Sequence, residues 1–195
     1  MARPRLFNEE EVLDAAMRCF WSRGFNATSL RELVAETGLT GASLYNAFGN
    51  KRALYQRVLR RYIANSVHDR IRRCEKLAAV EAIETFFSEI IQRSLNDPDC
   101  KGCMLVNAAL EITPQNPELQ SVVQAELAEI GTFFRQQVDV GQKDGTINST
   151  LSAEYLGHHL LGVLMGLRVL ARVQPDKTLF NGIVKSVLTL LKPQG

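Results

Sequence analysis

The stretch Ser29-Leu30-Arg31-Glu32-Leu33-Val34-Ala35-Glu36-Thr37-Gly38-Leu39-Thr40-Gly41-Ala42-Ser43-Leu44-Tyr45-Asn46-Ala47-Phe48 decides the fold. Ser29 and Glu32 have the spacing of a capping box, in which a hydroxyl and a carboxylate three residues apart satisfy backbone N–H groups that a helix start leaves free. Leu30, Leu33 and Val34 follow at helical spacing, and Gly38 supplies a left-handed stop. Thr40 opens a second short helix through Phe48, with Leu44 and Phe48 four apart and facing inward. Two short helices joined by Thr37-Gly38-Leu39 make the helix-turn-helix pattern, whose second helix can enter the major groove of B-DNA.

The second helix suits that task in detail. Gly41 and Ala42 are small enough for the helix start to come close to base edges. Thr40 and Ser43 offer short hydroxyls, and the positive end of the helix favours a phosphate. Lys51 and Arg52 lie just beyond, where phosphate oxygens would pass. The same two-helix pattern also occurs in all-α proteins that never meet DNA, so charge has to weigh in.

The chain has 195 residues and a formal charge of only +2. Residues 1–73 hold thirteen Lys+Arg against seven Asp+Glu, a net +6, and residues 74–195 hold ten against fourteen, a net −4. A basic first third ahead of an acidic remainder points to a polyanion partner for one part only. Arg3 and Arg5 form either a solvated tail or an arm that reaches a minor groove.

Other classes are set aside. The longest run without charged or strongly polar residues, Leu160 to Leu167, is far short of the roughly 18–20 residues of a membrane span. No signal-peptide stretch opens the chain, so a cytoplasmic protein with reduced cysteines is expected. Gly-x-Ser-x-Gly, Gly-x-x-x-x-Gly-Lys, His-Glu-x-x-His and Gly-x-Gly-x-x-Gly are all absent from the sequence, so nothing in it supports an enzyme.

Outward from the helix-turn-helix, nearly every segment reads as helix. Asn8 to Glu11 is a capped start, followed by Val12, Leu13, Ala16, Met17, Phe20 and Trp21 on one face and a stop at Gly24. One long helix is expected over 51–75, then helices over 79–95, 102–112, 118–143, 152–172 and 176–191. The closing turn after Ile112 is Thr113-Pro114-Gln115-Asn116-Pro117. The fold class is all-α with about nine helices. Residues 1–50 form a three-helix helix-turn-helix domain, linked through helix 51–75, and residues 51–195 form a larger helical domain.

Residues 10–55 resemble the DNA-binding domain of the TetR/AcrR repressors. The residues that carry this are Phe20-Trp21-Ser22-Arg23-Gly24-Phe25, Ala27-Thr28-Ser29-Leu30-Arg31-Glu32-Leu33-Val34, Gly38 through Phe48, and Lys51-Arg52-Ala53-Leu54. The resemblance implies a homodimeric transcriptional repressor on a pseudo-palindromic operator, released by a small-molecule effector held in the C-terminal domain. It implies phosphate contacts from Thr28, Ser29, Thr40, Tyr45 and Lys51, and base approach at Gly41, Ala42 and Asn46. Arg31 and Ser43 complete the expected DNA-facing set. The position after Asn46 is often histidine in that family and is Ala47 here, which leaves more of the phosphate contact to Asn46 and Lys51.

In the larger domain the candidates for an effector pocket are Phe87, Cys103, Met104, Asn107, Phe134, Tyr155, His158 and His159; any helical core needs similar residues. Cys100-Lys101-Gly102-Cys103 has the spacing of a redox or zinc half-site. No second Cys-x-x-Cys completes a metal site, and adjacent His158 and His159 point about 100° apart on a helix. No metal and no cofactor are therefore expected. Cys103 at a helix start next to Lys101 fits a thiol that senses an oxidant or electrophile, or else a small buried apolar residue. Gly157, Gly162 and Gly166 suggest close helix approach, with helices 152–172 and 176–191 forming half of a four-helix dimer interface.

Overall fold

A computed structural model of the chain describes residues 7–111 and 116–193. The arm of Arg3 and Arg5, and Thr113 to Gln115 of the closing turn, lie outside the described residues. Among the described residues there are nine helices and no strands. They are α1 (Glu9–Ala27), α2 (Leu30–Thr37), α3 (Gly41–Phe48), a long α4 built of Lys51–Ile63, a π-helical turn Ala64–His68 and Asp69–Cys74, then α5 (Ala79–Leu95), α6 (Met104–Glu111), α7 (Pro117–Lys143), α8 (Ala153–Val173) and α9 (Lys177–Leu191).

The helix ends fall where side chains satisfy them. Ser29 and Glu32 form the full reciprocal box, with the Glu32 N–H donating to Ser29 Oγ at 3.2 Å and the Ser29 N–H to Glu32 Oε2 at 2.8 Å. Asn8 caps α1 differently from the box expected: its Oδ1 accepts from the Glu10 N–H, while its amide donates to the Glu11 carboxylate. Gly38 takes the left-handed conformation, φ 69° and ψ 3°, that ends α2 and turns the chain into Thr40. Gly24 (φ 81°, ψ 172°) breaks α1, as expected, but one further helical turn follows through Ala27.

One core runs through the molecule. In the small head, Phe20, Leu33, Leu44, Phe48, Leu54, Tyr55 and Val58 are buried, and Tyr55 sits edge-on to Phe20 with ring centroids 5.0 Å apart. The first half of α4 is thus part of the head, and its second half enters the larger domain through Tyr62, Ile63, Val67 and Ile71. The π-helical turn between them inserts an extra residue into the helical ladder, a feature that apolar periodicity gives no sign of.

In the larger domain α7 and α8 pack along each other and α5 covers them. Phe86, Phe87, Phe133 and Phe134 form a buried aromatic cluster between α5 and α7. By length and composition α8 does reach the apolar character of a membrane span, contrary to the reading from its uninterrupted run. Its inner side, Leu156, Leu160, Leu164 and Leu167, is buried in the bundle.

Candidate nucleic-acid interface

The helix-turn-helix is held by packing on its inner side, which leaves the outer side of α3 for contact. Leu44 and Phe48 are buried, and Thr40, Ala42, Ser43 and Asn46 are exposed, with Tyr45 partly covered. Thr40 caps the helix, accepting from the Ser43 N–H at 3.1 Å and donating to Ser43 Oγ at 2.9 Å. Gly41, expected where bases are approached, also packs closely within the head. A Cβ there would lie 3.2 Å from a Leu30 methyl, so its small size seats α3 against α2.

Two expected contacts are placed differently. Thr28 is 1% exposed, and its hydroxyl donates to the Gly24 carbonyl at 2.7 Å. That hydroxyl is committed to the kink and is turned away from any phosphate. Ser29, next to it, is exposed at the N-terminus of α2. Lys51 sits over the Phe25 ring, 4.7 Å from its centroid, with its ammonium 3.4 Å from the Asn26 carbonyl. Burial pulls its pKa down, against the opposing pull of Glu111 and Glu32.

The charge of the head is redistributed by its ion pairs. Arg18 pairs with Glu36 at 2.7 Å, Arg23 with Glu32 at 2.7 Å, Arg57 with Glu9, and Arg61 with Asp14 through both carboxylate oxygens at 2.7 and 3.0 Å. These guanidiniums tie α1 to α2 and α4. Arg31 and Arg52 are exposed and have no carboxylate partner among the described residues. With Lys51 they supply the cationic rim around α3, and Arg52 extends the expected set.

Among the contacts that join the head to the larger domain are several that sequence spacing does not show. Trp21 Nε1 donates to the Gly102 carbonyl at 3.2 Å. Glu111 of α6 accepts from the Phe25 N–H at 2.8 Å and the Asn26 N–H at 3.3 Å. Arg93 of α5 lies over the Trp21 ring, 5.2 Å from its centroid.

The residues expected to line an effector pocket are not brought together. Phe87 and Phe134 are fully buried and stacked on each other, centroids 5.5 Å apart. Met104 is core. Asn107 is buried and its amide donates to the Lys101 carbonyl at 2.9 Å, which shapes the loop before α6. Tyr155, His158 and His159 are exposed on α8. Cys103 borders an internal cavity, a nearly filled space of about 20 Å³ lined also by Arg70, Phe86, Leu164 and Arg168, and His158 borders a separate cleft of about 330 Å³ between α7 and α8. At the junction of the domains lies a larger cleft of about 480 Å³. Among the described residues, His68, Glu126 and Glu129 have ligand atoms within 4.8 Å of one another, close enough to share a cation. As they stand, His68 Nε2 lies 2.7 Å from Glu126 and 3.3 Å from Glu129, which satisfies the group without an ion.

A capped helix-turn-helix with a cationic rim, mounted on a larger helical domain, defines a DNA-binding regulator. Residues 12–58 match the family described as bacterial regulatory proteins, tetR family, and residues 79–187 match the tetracyclin repressor-like C-terminal domain. The chain belongs to the TetR family. It is 28% identical over 172 residues to the transcriptional repressor ComR of Escherichia coli strain K12, covering 87% of this chain and 82% of that protein. It is also 28% identical over 196 residues to the regulator YezE of Bacillus subtilis strain 168, covering 98% and 100%. The solved structure of the TetR family regulator CifR, a cysteine-substituted variant in complex with a 26-bp operator duplex, superposes with a TM-score of 0.87 at 29% identity, covering 97% of this chain and 100% of that one.

Proposed function

We propose that this chain is a cytoplasmic, ligand-responsive transcriptional repressor that binds a pseudo-palindromic operator as a homodimer and is released by a small-molecule inducer. The observation that carries the reading is the outer side of α3. Thr40, Ala42, Ser43 and Asn46 are exposed there beside Arg31, Lys51 and Arg52, while the other arginines of α1 and the first half of α4 that face carboxylates are paired internally. CifR, which shares the fold over nearly the whole chain, was solved on operator DNA.

Dimerisation is read from α8 and α9. Their outward side exposes Tyr155, Val169 and Val173 on α8 and Leu179 and Leu190 on α9. Gly162 and Gly166 have open space around them on that side, while a Cβ on Gly157 would meet the Arg135 backbone at 3.1 Å within the chain. Gly157 thus serves α7–α8 packing, and Gly162 and Gly166 are free to seat a partner helix. An apolar, glycine-notched face of this kind suits a self-complementary two-fold contact.

Effector control follows from the ties between the domains. A ligand that binds better when Trp21, Phe25 and Asn26 are displaced from Gly102 and Glu111 shifts the heads away from the DNA-competent spacing, and DNA weakens its binding reciprocally. A thiol-reactive inducer has less support. Cys103 is 5% exposed and accepts a hydrogen bond from the buried Tyr62 hydroxyl at 3.6 Å. Cys100, partly exposed in the preceding loop with φ 47°, is the more accessible sulfur.

Selection from random duplex DNA by the purified full chain tests the reading. An inverted repeat with half-site centres about 34–36 Å apart is expected. Enrichment of no sequence, or of a single unpaired half-site, overturns it.

A further inference from the structure

The junction cleft holds two guanidiniums that no carboxylate among the described residues neutralises. Arg168 on α8 is 4% exposed, and its polar partner is the Ser94 hydroxyl at 3.4 Å, at the outer limit of a hydrogen bond. Arg93, at the rim, donates to Ser66 Oγ at 2.8 Å and otherwise faces the rings of Trp21 and Tyr62. Neither has an ion pair among the described residues, whereas the third guanidinium of this region, Arg70, is paired with Glu89 at 3.1 Å, and Glu89 is shared with Arg73. Burying a guanidinium without a counter-charge is costly, and such a charge is retained where something anionic arrives to meet it.

The cleft of about 480 Å³ lined by Trp21, Arg93, Ser94, Lys101, Arg168 and Ala171 lies in the size range of small-molecule sites. The acid at its edge, Asp97, is already engaged. It bonds the Lys101 ammonium at 3.0 Å and the Lys101 backbone N–H at 2.7 Å. Asp99 also meets the Lys101 ammonium, at 2.7 Å, so the acids of this loop are engaged with Lys101, and Arg168 and Arg93 have no carboxylate partner among the described residues. A guanidinium presents a planar fork of N–H donors that matches a carboxylate, and the indole beside it offers a flat apolar face.

We propose that this cleft binds a small organic carboxylate, its carboxyl group held between Arg168 and Arg93 and its body against the Trp21 indole. The inference rests on the effector reading above for its regulatory meaning: Trp21 belongs to α1 of the head, so the ligand touches the DNA-reading domain itself. Because Arg168 also borders the small internal cavity beside Cys103, the site lies between the two domains and the core.

Trp21 is the sole tryptophan of the chain, so its emission reports on the cleft without a label. The full-length protein is titrated, free of DNA, with acetate, hexanoate and benzoate, and with benzamide and inorganic phosphate as neutral and compact-anion controls. A saturable change in Trp21 emission with hexanoate or benzoate is expected, with no such change for benzamide or phosphate. Arg168→Lys and Arg93→Gln, each confirmed folded by circular dichroism, are expected to weaken it by about tenfold or more, the size expected for loss of a charge-assisted hydrogen-bond pair. No saturable change with any of the three carboxylates, an equal response to benzamide or phosphate, or unaltered affinity in both variants overturns the proposal. Operator release is measured in parallel by fluorescence anisotropy. A carboxylate that binds yet leaves the DNA complex intact supports the site and removes the effector role.

Discussion

The Glu111 carboxylate reaches from α6 of the larger domain to the backbone N–H of Phe25 in the head, at 2.8 Å, directly after the break at Gly24. The two N–H groups it accepts, Phe25 and Asn26, are released from α1 by the positive φ of Gly24, so the break and its cap belong together. A Cβ at Gly24 would lie 2.1 Å from Glu111 Oε1. Gly24→Ala is therefore both strained and obstructed, with an expected loss of about 1–3 kcal/mol. Glu111→Ala leaves two donors without their acceptor and is expected to cost about 1 kcal/mol, since the site is partly solvated. Thermal unfolding of both variants checks this, and unchanged melting of Glu111→Ala would show the contact to be incidental.

DNA affinity separates contact residues from packing residues. Asn46→Ala is expected to lose about 1–3 kcal/mol of discrimination at one operator position without a change in stability. Lys51→Ala and Arg52→Ala should weaken binding to all sequences alike, each lowering the salt slope by about one. Thr28→Val should behave in the opposite way, with stability falling by about 1 kcal/mol through loss of a buried hydroxyl bond and the folded protein binding DNA as before. Anisotropy titrations over a salt series, with melting curves, distinguish these outcomes.

The proposed dimer face makes a sharp prediction through its exposed valine. Val173 on α8 is 79% exposed in the single chain. Val173→Asp together with Gly166→Leu should weaken self-association by about 3 kcal/mol or more, on the order of 100-fold in Kd, with helicity intact. Gly157→Ala should instead lower stability, because its added methyl meets Arg135 within the same chain. Sedimentation and melting data give the two readouts.

Acid stability should depend on Asp14. The hydrogen bond from Arg61 holds its carboxyl below the usual range, against a smaller opposing push from burial. A depressed folded value means that the contribution is fully present above the unfolded value of about 3.9 and is lost as pH falls through the lower, folded one. Asp14→Asn should flatten the fall of Tm with pH in that acid window and leave the neutral range less affected. A wild-type acid limb in this variant would contradict the assignment.

Thiol accessibility orders the cysteines. Iodoacetamide should label Cys100 first, Cys103 only slowly and Cys74 last, since burial pushes the Cys74 thiol up to about 11. Mass spectrometry of native and unfolded protein checks the order, and fast native labelling of Cys103 would strengthen the thiol-reactive reading of the inducer.

The sequence by itself determined the order of the helices, the caps at Ser29 and Thr40, the stop at Gly38 and the DNA-reading motif. Those features are written in local chemistry: Ser29 with Glu32, Gly38 before Thr40, and leucines at helical spacing all act within a few residues of one another. The basic first third was equally legible as a sum. Which of its arginines are available to a polyanion was not, because Arg18, Arg23, Arg57 and Arg61 find their carboxylates on other helices. The roles of Thr28, turned into the kink, and Gly41, seated on Leu30, also depend on packing across helices. The effector candidates show the limit most clearly. Phe87 and Phe134 are apolar residues at helical spacing, as a pocket requires, yet they stack in the core, while Trp21, Arg93 and Arg168 come from three distant segments to line one cleft. Helix periodicity tells a side chain which way to face. Only the packing of one helix on another decides whether it meets a neighbour, a charge or open space.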